Sequence, residues 1–413
     1  MMEKNILSRN HMIIVFFAFA FGYFLSTLLR AITATLSPVL IDEFSLTAAN
    51  LGLLSGGYFF GFAAMQIPLG YLLDRYGPKK IVSIFLLVAV LGILVFMLAN
   101  NFNNLLIARV LIGIGVSACL MGPLTGYRMW MGDEYQQRGN SWMLMVGSIG
   151  MLSSTLPVQL MLPLYGWRSI FGGLAVLAAF CIILIFLISP KWPIKNNKIQ
   201  NIELENQESL SQIWKNKYFQ SLIPIGVFNQ GGLYAIQTLW AGPWLVNVSG
   251  YTPLKSATGL FWINFVMLFA FLLWGYINPK LLKLGYTANK LMAYLTPLTF
   301  LVLLKIIIFA ESTTYIDWVA YVLSCIVLTL AQPAVGLAFS TKLAGKALTS
   351  FNFILFVGIF VVQWMIGILI DLVTSRGHSI IFAYQFSFSV FLIICVFSYL
   401  YFLKFNYKKI NEA

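Results

Sequence analysis

Charge is what this sequence is short of. Asp, Glu, Lys and Arg make up 9% of its 413 residues, where a water-soluble chain carries about a quarter. That shortage excludes a soluble globular fold, because too little of the surface would be wettable. Histidine occurs twice and cysteine four times. Cys119, Cys181, Cys325 and Cys395 each lie inside an apolar run, with neither paired nor metal-ligand spacing. They read as small buried hydrophobes, not as a disulfide framework or a metal site. The phosphate loop of nucleotide-driven proteins is also missing: Gly345-Lys346 resembles its end, but Ser340 stands where its first glycine is required. With no nucleophile beside a base and no cofactor motif, an enzyme is not expected, and neither is a cofactor.

What the chain has instead is apolar length. Of its residues, 60% are apolar, in runs that reach the ~20 residues needed to cross a hydrocarbon core. At that depth the backbone must satisfy its own polar groups, so the spans are expected to be helices. Alternating barrel strands are absent. Spans are drawn at 12–36, 47–71, 80–99, 104–130, 140–162, 169–189, 219–247, 256–278, 288–310, 317–340, 347–372 and 380–404. The run from His11 to Thr35 is longer than a signal-peptide core and ends without a small-residue cleavage pattern, so it reads as a retained first helix. The expected fold is an all-α polytopic membrane protein with twelve transmembrane helices in two six-helix bundles.

The net charge of +13 does not point to nucleic acid, since Lys and Arg are spread over short loops and form no patch. With the N-terminus in the cytoplasm, that side collects Arg75, Lys79, Lys80, Arg138, Lys191, Lys215, Lys217, Lys280, Lys283, Lys290, Lys342, Lys346 and Lys404. The other side holds Arg168, Lys255 and Arg376 beside Asp42, Glu43, Glu311 and Asp317. This is the positive-inside pattern with both termini cytoplasmic. One long polar stretch divides the chain, giving bundles at 1–189 and 218–413 and a cytoplasmic linker at 190–217, with a short surface helix near Leu210 to Lys217. A weak repeat agrees: Gly70-Tyr71 and Gly275-Tyr276 end the second and eighth spans, and each is followed by a basic, glycine-containing loop.

The loop after the second span carries Gly70, Asp74, Arg75, Gly77, Lys79 and Lys80. Gly, three variable residues, Asp, Arg, a variable residue, Gly, a variable residue and two basic residues is the pattern of the major facilitator superfamily, which this chain resembles. Arg109 with Gly113 and Gly115 in the fourth span is a second shared feature. The fifth span has Gly147, Gly150 and Pro157 but lacks the Gly-Pro pair of proton-driven antiporters. More loosely, the chain resembles bacterial sugar-phosphate and nitrate-type permeases. The resemblance implies a solute transporter of the bacterial cytoplasmic membrane, with the first, fourth, seventh and tenth helices around a central cavity. It also implies a conformational latch in which Asp74 meets the start of the eleventh helix, with Arg75 and Arg138 completing a charge cluster. Lys79 and Lys80 are expected only to fix topology.

Ionisable groups inside spans are expensive and mark function by default. Arg30 lies roughly 9 Å inside the first span at ~1.5 Å per residue, on a polar stripe with Ser26, Thr33 and Ser37. Its planar fork suits a carboxylate or phosphate, so it is the leading substrate-binding candidate. The resemblance assigns Arg109 to coupling or helix packing, with a structural hydrogen-bonding role as the equal alternative. Tyr127 and Arg128 are a candidate anion contact, with snorkelling to the interface as the plainer reading of Arg128. Lys305 is expected to snorkel. No Asp or Glu lies near mid-membrane; Asp371, near the outer end of the eleventh span, is the remaining candidate for coupling or packing. In the seventh span Gln230, Tyr234 and Gln237 share a face that offers amide and phenol groups to a solute. Trp240 and Trp244 either extend that wall or anchor the interface. Gly231-Gly232 and Gly242-Pro243 are expected to break or bend the helix. Tyr58, Gln66, Gln159, Asn264, Gln332, Asn352 and Gln363 are further polar groups within spans, each more simply read as a bond to a neighbouring helix.

Three functions fit. A secondary or facilitative transporter of a small organic anion rests on Arg30. A carrier of a bulky amphiphile, such as a drug or siderophore, is allowed by the aromatic content. A sensor with a transporter fold would bind a ligand without flux. The expected partners are a small-molecule solute, membrane lipid and a proton as coupling ion, for a monomeric protein.

Overall fold

The structure, a computed structural model, describes residues 6–192 and 210–411. Residues 193–209 of the expected linker lie outside the described residues. The described residues form helices and no strand. Nine helices are long and apolar enough to cross a membrane. Two positive-φ glycines divide two of them further. Ala48–Met97 turns at Gly77 (φ 77°, ψ 163°), giving the second and third spans, and Leu156–Ile188 turns at Gly166 (φ 68°, ψ 160°). Asp133–Ser153 with the residues before Gly166 makes the fifth span, and the rest makes the sixth. The seventh runs in pieces from Lys217–Pro224 to Ala241–Asn247. With Arg9–Phe44, Phe102–Trp130, Pro253–Lys283, Ala288–Ser312, Tyr315–Ala338, Thr341–Thr374 and Ile380–Asn411, the described residues make twelve passages. A short helix at 210–215 precedes the seventh, where a surface helix was expected.

The seventh helix differs from expectation. The chain stays helical through Gly231-Gly232 and Gly242-Pro243, but it widens into π turns at Ile225–Gln230 and Ile236–Trp240. The second has a direct cause. Pro243 has no amide proton to offer Leu239, four residues back, and its ring crowds that carbonyl. The turn before it opens instead of breaking.

The chain packs as two compact units, one of residues 1–36 and 57–196, the other of residues 37–56 and 197–413. In the first unit the second and fourth helices touch backbone to backbone. A Cβ at Gly61 would lie 2.2 Å from the Val110 carbonyl oxygen, and one at Gly113 would lie 2.0 Å from that of Tyr58. Small residues are what let membrane helices approach this closely. In the second unit the seventh and eleventh helices do the same, with a Cβ at Gly358 only 2.5 Å from the Val227 carbonyl oxygen. These two contacts position the polar side chains described next.

Candidate functional site

The close approach at Gly61 and Gly113 sets Arg109 against Tyr58. Arg109 is fully buried, with its guanidinium carbon 5.1 Å from the Tyr58 ring centroid. Nη1 donates to the Leu29 carbonyl at 2.7 Å, while Nε and Nη2 find no acceptor. The Tyr58 hydroxyl donates in turn to the Ser26 carbonyl at 3.1 Å. One turn further along the second helix, Phe62 lies under Arg30, 5.5 Å from guanidinium carbon to ring centroid. Two cations thus rest on one aromatic face of one helix. Cation–π contact contributes about 0.5–2 kcal/mol, less than the cost of placing a guanidinium at the centre of a hydrocarbon layer. The expected stripe is present: Ser26, Thr33 and Ser37 are buried beside half-buried Arg30.

Tyr127 and Arg128 point apart. Tyr127 is fully buried, its hydroxyl 3.7 Å from the Met143 sulfur and its ring 6.2 Å from that of Phe16. Arg128 is exposed. Adjacent residues on a helix are about 100° apart, so one contact cannot easily use both.

On the seventh helix, Gln230 and Gln237 are buried and Tyr234 is half-buried. Gln237 Nε2 donates to Asn264 Oδ1 at 2.9 Å, and Asn264 Nδ2 to the Leu260 carbonyl at 2.9 Å. From the eleventh helix, Gln363 Nε2 donates to Thr238 Oγ1 at 3.0 Å. Thr238 is a partner that sequence reasoning missed; its one signal is its place beside Gln237. Trp240 and Trp244 are not interface anchors. Both are fully buried, Trp240 Nε1 donating to the Gln363 carbonyl at 3.1 Å and Trp244 Nε1 to Thr313 Oγ1 at 2.9 Å. Tyr384 and Phe388 close around Trp244, with ring centroids at 5.9 and 4.8 Å. Tryptophan indoles sit at the interface when the N–H needs water, and here protein acceptors replace it.

The motif loop is held by the chain leaving the sixth helix. Trp192 lies over Gly77, and its Nε1 donates to the Asp74 carbonyl at 3.3 Å. A Cβ at Gly77 would lie 2.2 Å from the Trp192 ring. Only glycine meets both that clearance and the positive φ. Gly70, by contrast, has nothing within 4 Å of where a Cβ would be. Arg75 donates to the Tyr71 hydroxyl at 2.7 Å and lies 5.0 Å from the Tyr76 ring centroid; Arg138 is exposed. Lys79 does more than mark topology, since its Nζ donates to the Ser189 carbonyl at 3.2 Å and stacks 4.9 Å from the Phe186 ring centroid. Lys305, expected to snorkel, is exposed and pairs with Asp317 at 2.8 Å. Asp371 caps the start of the second helix through two backbone amides, both within the second unit.

Comparisons with known proteins agree with this architecture. Residues 19–363 match the family model of the Major Facilitator Superfamily. A probable sulfoacetate transporter of Cupriavidus necator is 26% identical over 209 residues, covering 49% of this chain and 46% of that protein. A probable L-galactonate transporter of Escherichia coli is 26% identical over 175 residues, covering 42% and 37%. The matched segments thus span less than half the length of these relatives. Among solved structures, a bacterial homologue of the human lysosomal transporter Spinster superposes with a TM-score of 0.78 at 16% identity, over 97% of this chain and 98% of that one. That likeness is one of fold. With the family model covering most of its length, the twelve-passage chain belongs to the Major Facilitator Superfamily.

Proposed function

We propose that this protein is a secondary transporter that moves a small organic anion across the bacterial cytoplasmic membrane by alternating access. One observation carries the reading. Arg30 and Arg109 lie on the Tyr58–Phe62 face of the second helix, and the fully buried Arg109 leaves Nε and Nη2 without an acceptor. A carboxylate or phosphate of an anionic solute suits two guanidinium groups on one face. Arg30, half-buried, is the residue that reaches it; Arg109, fully buried, sets the local field. The names of two relatives, for sulfoacetate and L-galactonate, are those of organic acids.

In the same reading the motif loop is the conformational latch. Gly77 and Trp192 fix its shape, so Asp74 is held in one place. Asp74→Asn is expected to change the balance of access states; unchanged transport and unchanged labelling of cysteines from either side would discard the latch.

The test of function is ligand-induced thermal stabilisation of the detergent-purified protein, followed by flux into proteoliposomes. A bound ligand raises apparent stability by mass action. Stabilisation by carboxylates or phosphates that Arg30→Gln removes, with flux of the same solute, is the expected result. Stabilisation by neutral amphiphiles alone, equal in both proteins, overturns the anion reading. Binding without flux makes the protein a sensor.

A further inference from the structure

Among the described residues of the second unit, five buried amide oxygens have no hydrogen-bond donor, and three of them lie on the seventh and eleventh helices: Oε1 of Gln230, of Gln237 and of Gln363. These residues are 1%, 4% and 0% exposed. A buried acceptor left unpaired forfeits its hydration without a bond in return, and folded proteins leave few.

The amides are not free to flip and hide the deficit. Oxygen and nitrogen of an amide must be assigned from their neighbours. Asn264 Nδ2 donates to the Leu260 carbonyl at 2.9 Å, and a backbone carbonyl only accepts. Asn264 therefore turns Oδ1 to Gln237, which must answer with Nε2 at 2.9 Å. Gln363 Nε2 is pinned in the same way. It faces the Ala235 carbonyl at 3.4 Å and Thr238 Oγ1 at 3.0 Å, and the Thr238 proton is already given to the Tyr234 carbonyl at 2.6 Å. Reversing either glutamine sets oxygen against oxygen. Backbone carbonyls thus fix both amides with their oxygens turned out of the network.

Gln230 and Gln237 are placed where helices depart from regularity. Gln230 closes the π turn Ile225–Gln230, and Gln237 and Thr238 lie in the π turn Ile236–Trp240. Such turns recur at functional sites, where they redirect side chains at the expense of regular hydrogen bonding.

We propose that these oxygens form a hydrogen-bond-acceptor subsite that reads the donor hydroxyl groups of the solute, so that the transported anion is a hydroxylated acid. The inference rests on the transport reading above for the charge of the solute, and on the three oxygens for its hydroxyls. Gln237 and Gln363 touch the ligand; Asn264 and Thr238 are positioning residues. A solute without hydroxyls would leave the oxygens unpaired, which is the basis of strong discrimination in buried polar sites.

The experiment compares D-gluconate, hexanoate and sorbitol as stabilisers of the purified full-length protein. The first two share six carbons and one carboxylate and differ in hydroxyls; the third has hydroxyls and no charge. Gluconate is expected to bind at least about tenfold tighter than hexanoate, the equivalent of one or two hydrogen bonds. In Gln237→Met and Gln363→Met the margin is expected to fall to about twofold, with the ligand-free variants melting within about 2 °C of wild type, because each removes an unpaired acceptor together with a donor. Asn264→Leu, which releases Gln237 without deleting it, is expected to shrink the margin as well, and serves if a glutamine variant does not fold. Equal binding of gluconate and hexanoate overturns the subsite and leaves the anion reading standing. Stabilisation by sorbitol alone, lost in the variants, keeps the subsite and removes the anion reading. A margin that survives in the variants overturns the subsite and assigns the oxygens to a fixed water or to packing. Stabilisation by neither gluconate nor sorbitol also overturns it.

Discussion

The carboxylate of Asp371 accepts hydrogen bonds from the backbone amides of Ala48 and Ala49, at 2.9 and 2.8 Å, across more than 300 residues of sequence. These are the first two amides of the second helix, which no carbonyl within the helix can satisfy. Thr47 Oγ1 takes the third, from Asn50, at 3.2 Å. The positive end of the helix is therefore closed by one local hydroxyl and one distant carboxylate. Asp371→Ala is expected to lower stability by about 1.5–3 kcal/mol, the range for bonds to a charged group. Thr47→Val should lose only about 1 kcal/mol. Thermal unfolding of the two variants side by side checks the order; an equal or reversed order would mean the carboxylate is not the principal cap.

The same junction depends on bare backbone. A Cβ at Gly367 would lie 2.3 Å from the Ala48 carbonyl oxygen. Gly367→Val is expected to separate the two helices and to destabilise more than Asp371→Ala does. If it melts with wild type, the helices do not pack this tightly in the membrane.

Arg109 separates the expense of a buried charge from its use. Arg109→Met keeps most of the volume and removes two unpaired N–H groups. Replacing a buried charge by an apolar side chain of similar size is often neutral or stabilising, so the melting temperature is expected to hold or rise. If Arg109 sets the local field as proposed, transport should fall at least about tenfold, a loss of roughly 1.4 kcal/mol. Retained transport with a sharp drop in stability would make Arg109 a packing residue.

The two motif glycines are expected to behave differently. Gly77→Ala meets the Trp192 ring and an unfavourable φ of 77°, while Gly70→Ala meets nothing within 4 Å. Adding Trp192→Ala to Gly77→Ala restores space but not backbone freedom, leaving a residual penalty of about 1 kcal/mol. Melting and transport of the three variants show whether the loop needs glycine for room, for conformation, or for both.

Trp244→Phe keeps the ring packing against Tyr384 and Phe388 and removes the Nε1 bond to Thr313. The expected loss is about 1 kcal/mol. Fluorescence of this residue in the wild type should resist aqueous quenchers, as befits a core indole; ready quenching would return it to the interface.

Hydropathy and short-range chemistry determined a great deal. Twelve passages follow from apolar runs long enough to cross a bilayer, because a helix in lipid satisfies its backbone locally and needs no partner to be recognised. The turn at Gly77 follows from Gly-Pro next to each other, and the family from Gly70, Asp74, Arg75 and Gly77 in order. The groups proposed to serve the solute were partly visible as polar residues in apolar surroundings: Arg30, Arg109, Gln230 and Gln237. Their partners were not. Leu29 under Arg109, Thr238 and Ala235 under Gln363, and Ala48 above Asp371 are backbone or small-residue contacts between segments 80 or more residues apart. Any leucine or alanine carries the same amide and carbonyl, so composition holds no trace of which one is used. The burial of Trp240 and Trp244 was likewise decided by Gln363 and Thr313 arriving from other helices. Local sequence set where each helix runs and which groups are costly to bury; only packing chose which atom satisfies which, and so which atoms are left over for a ligand.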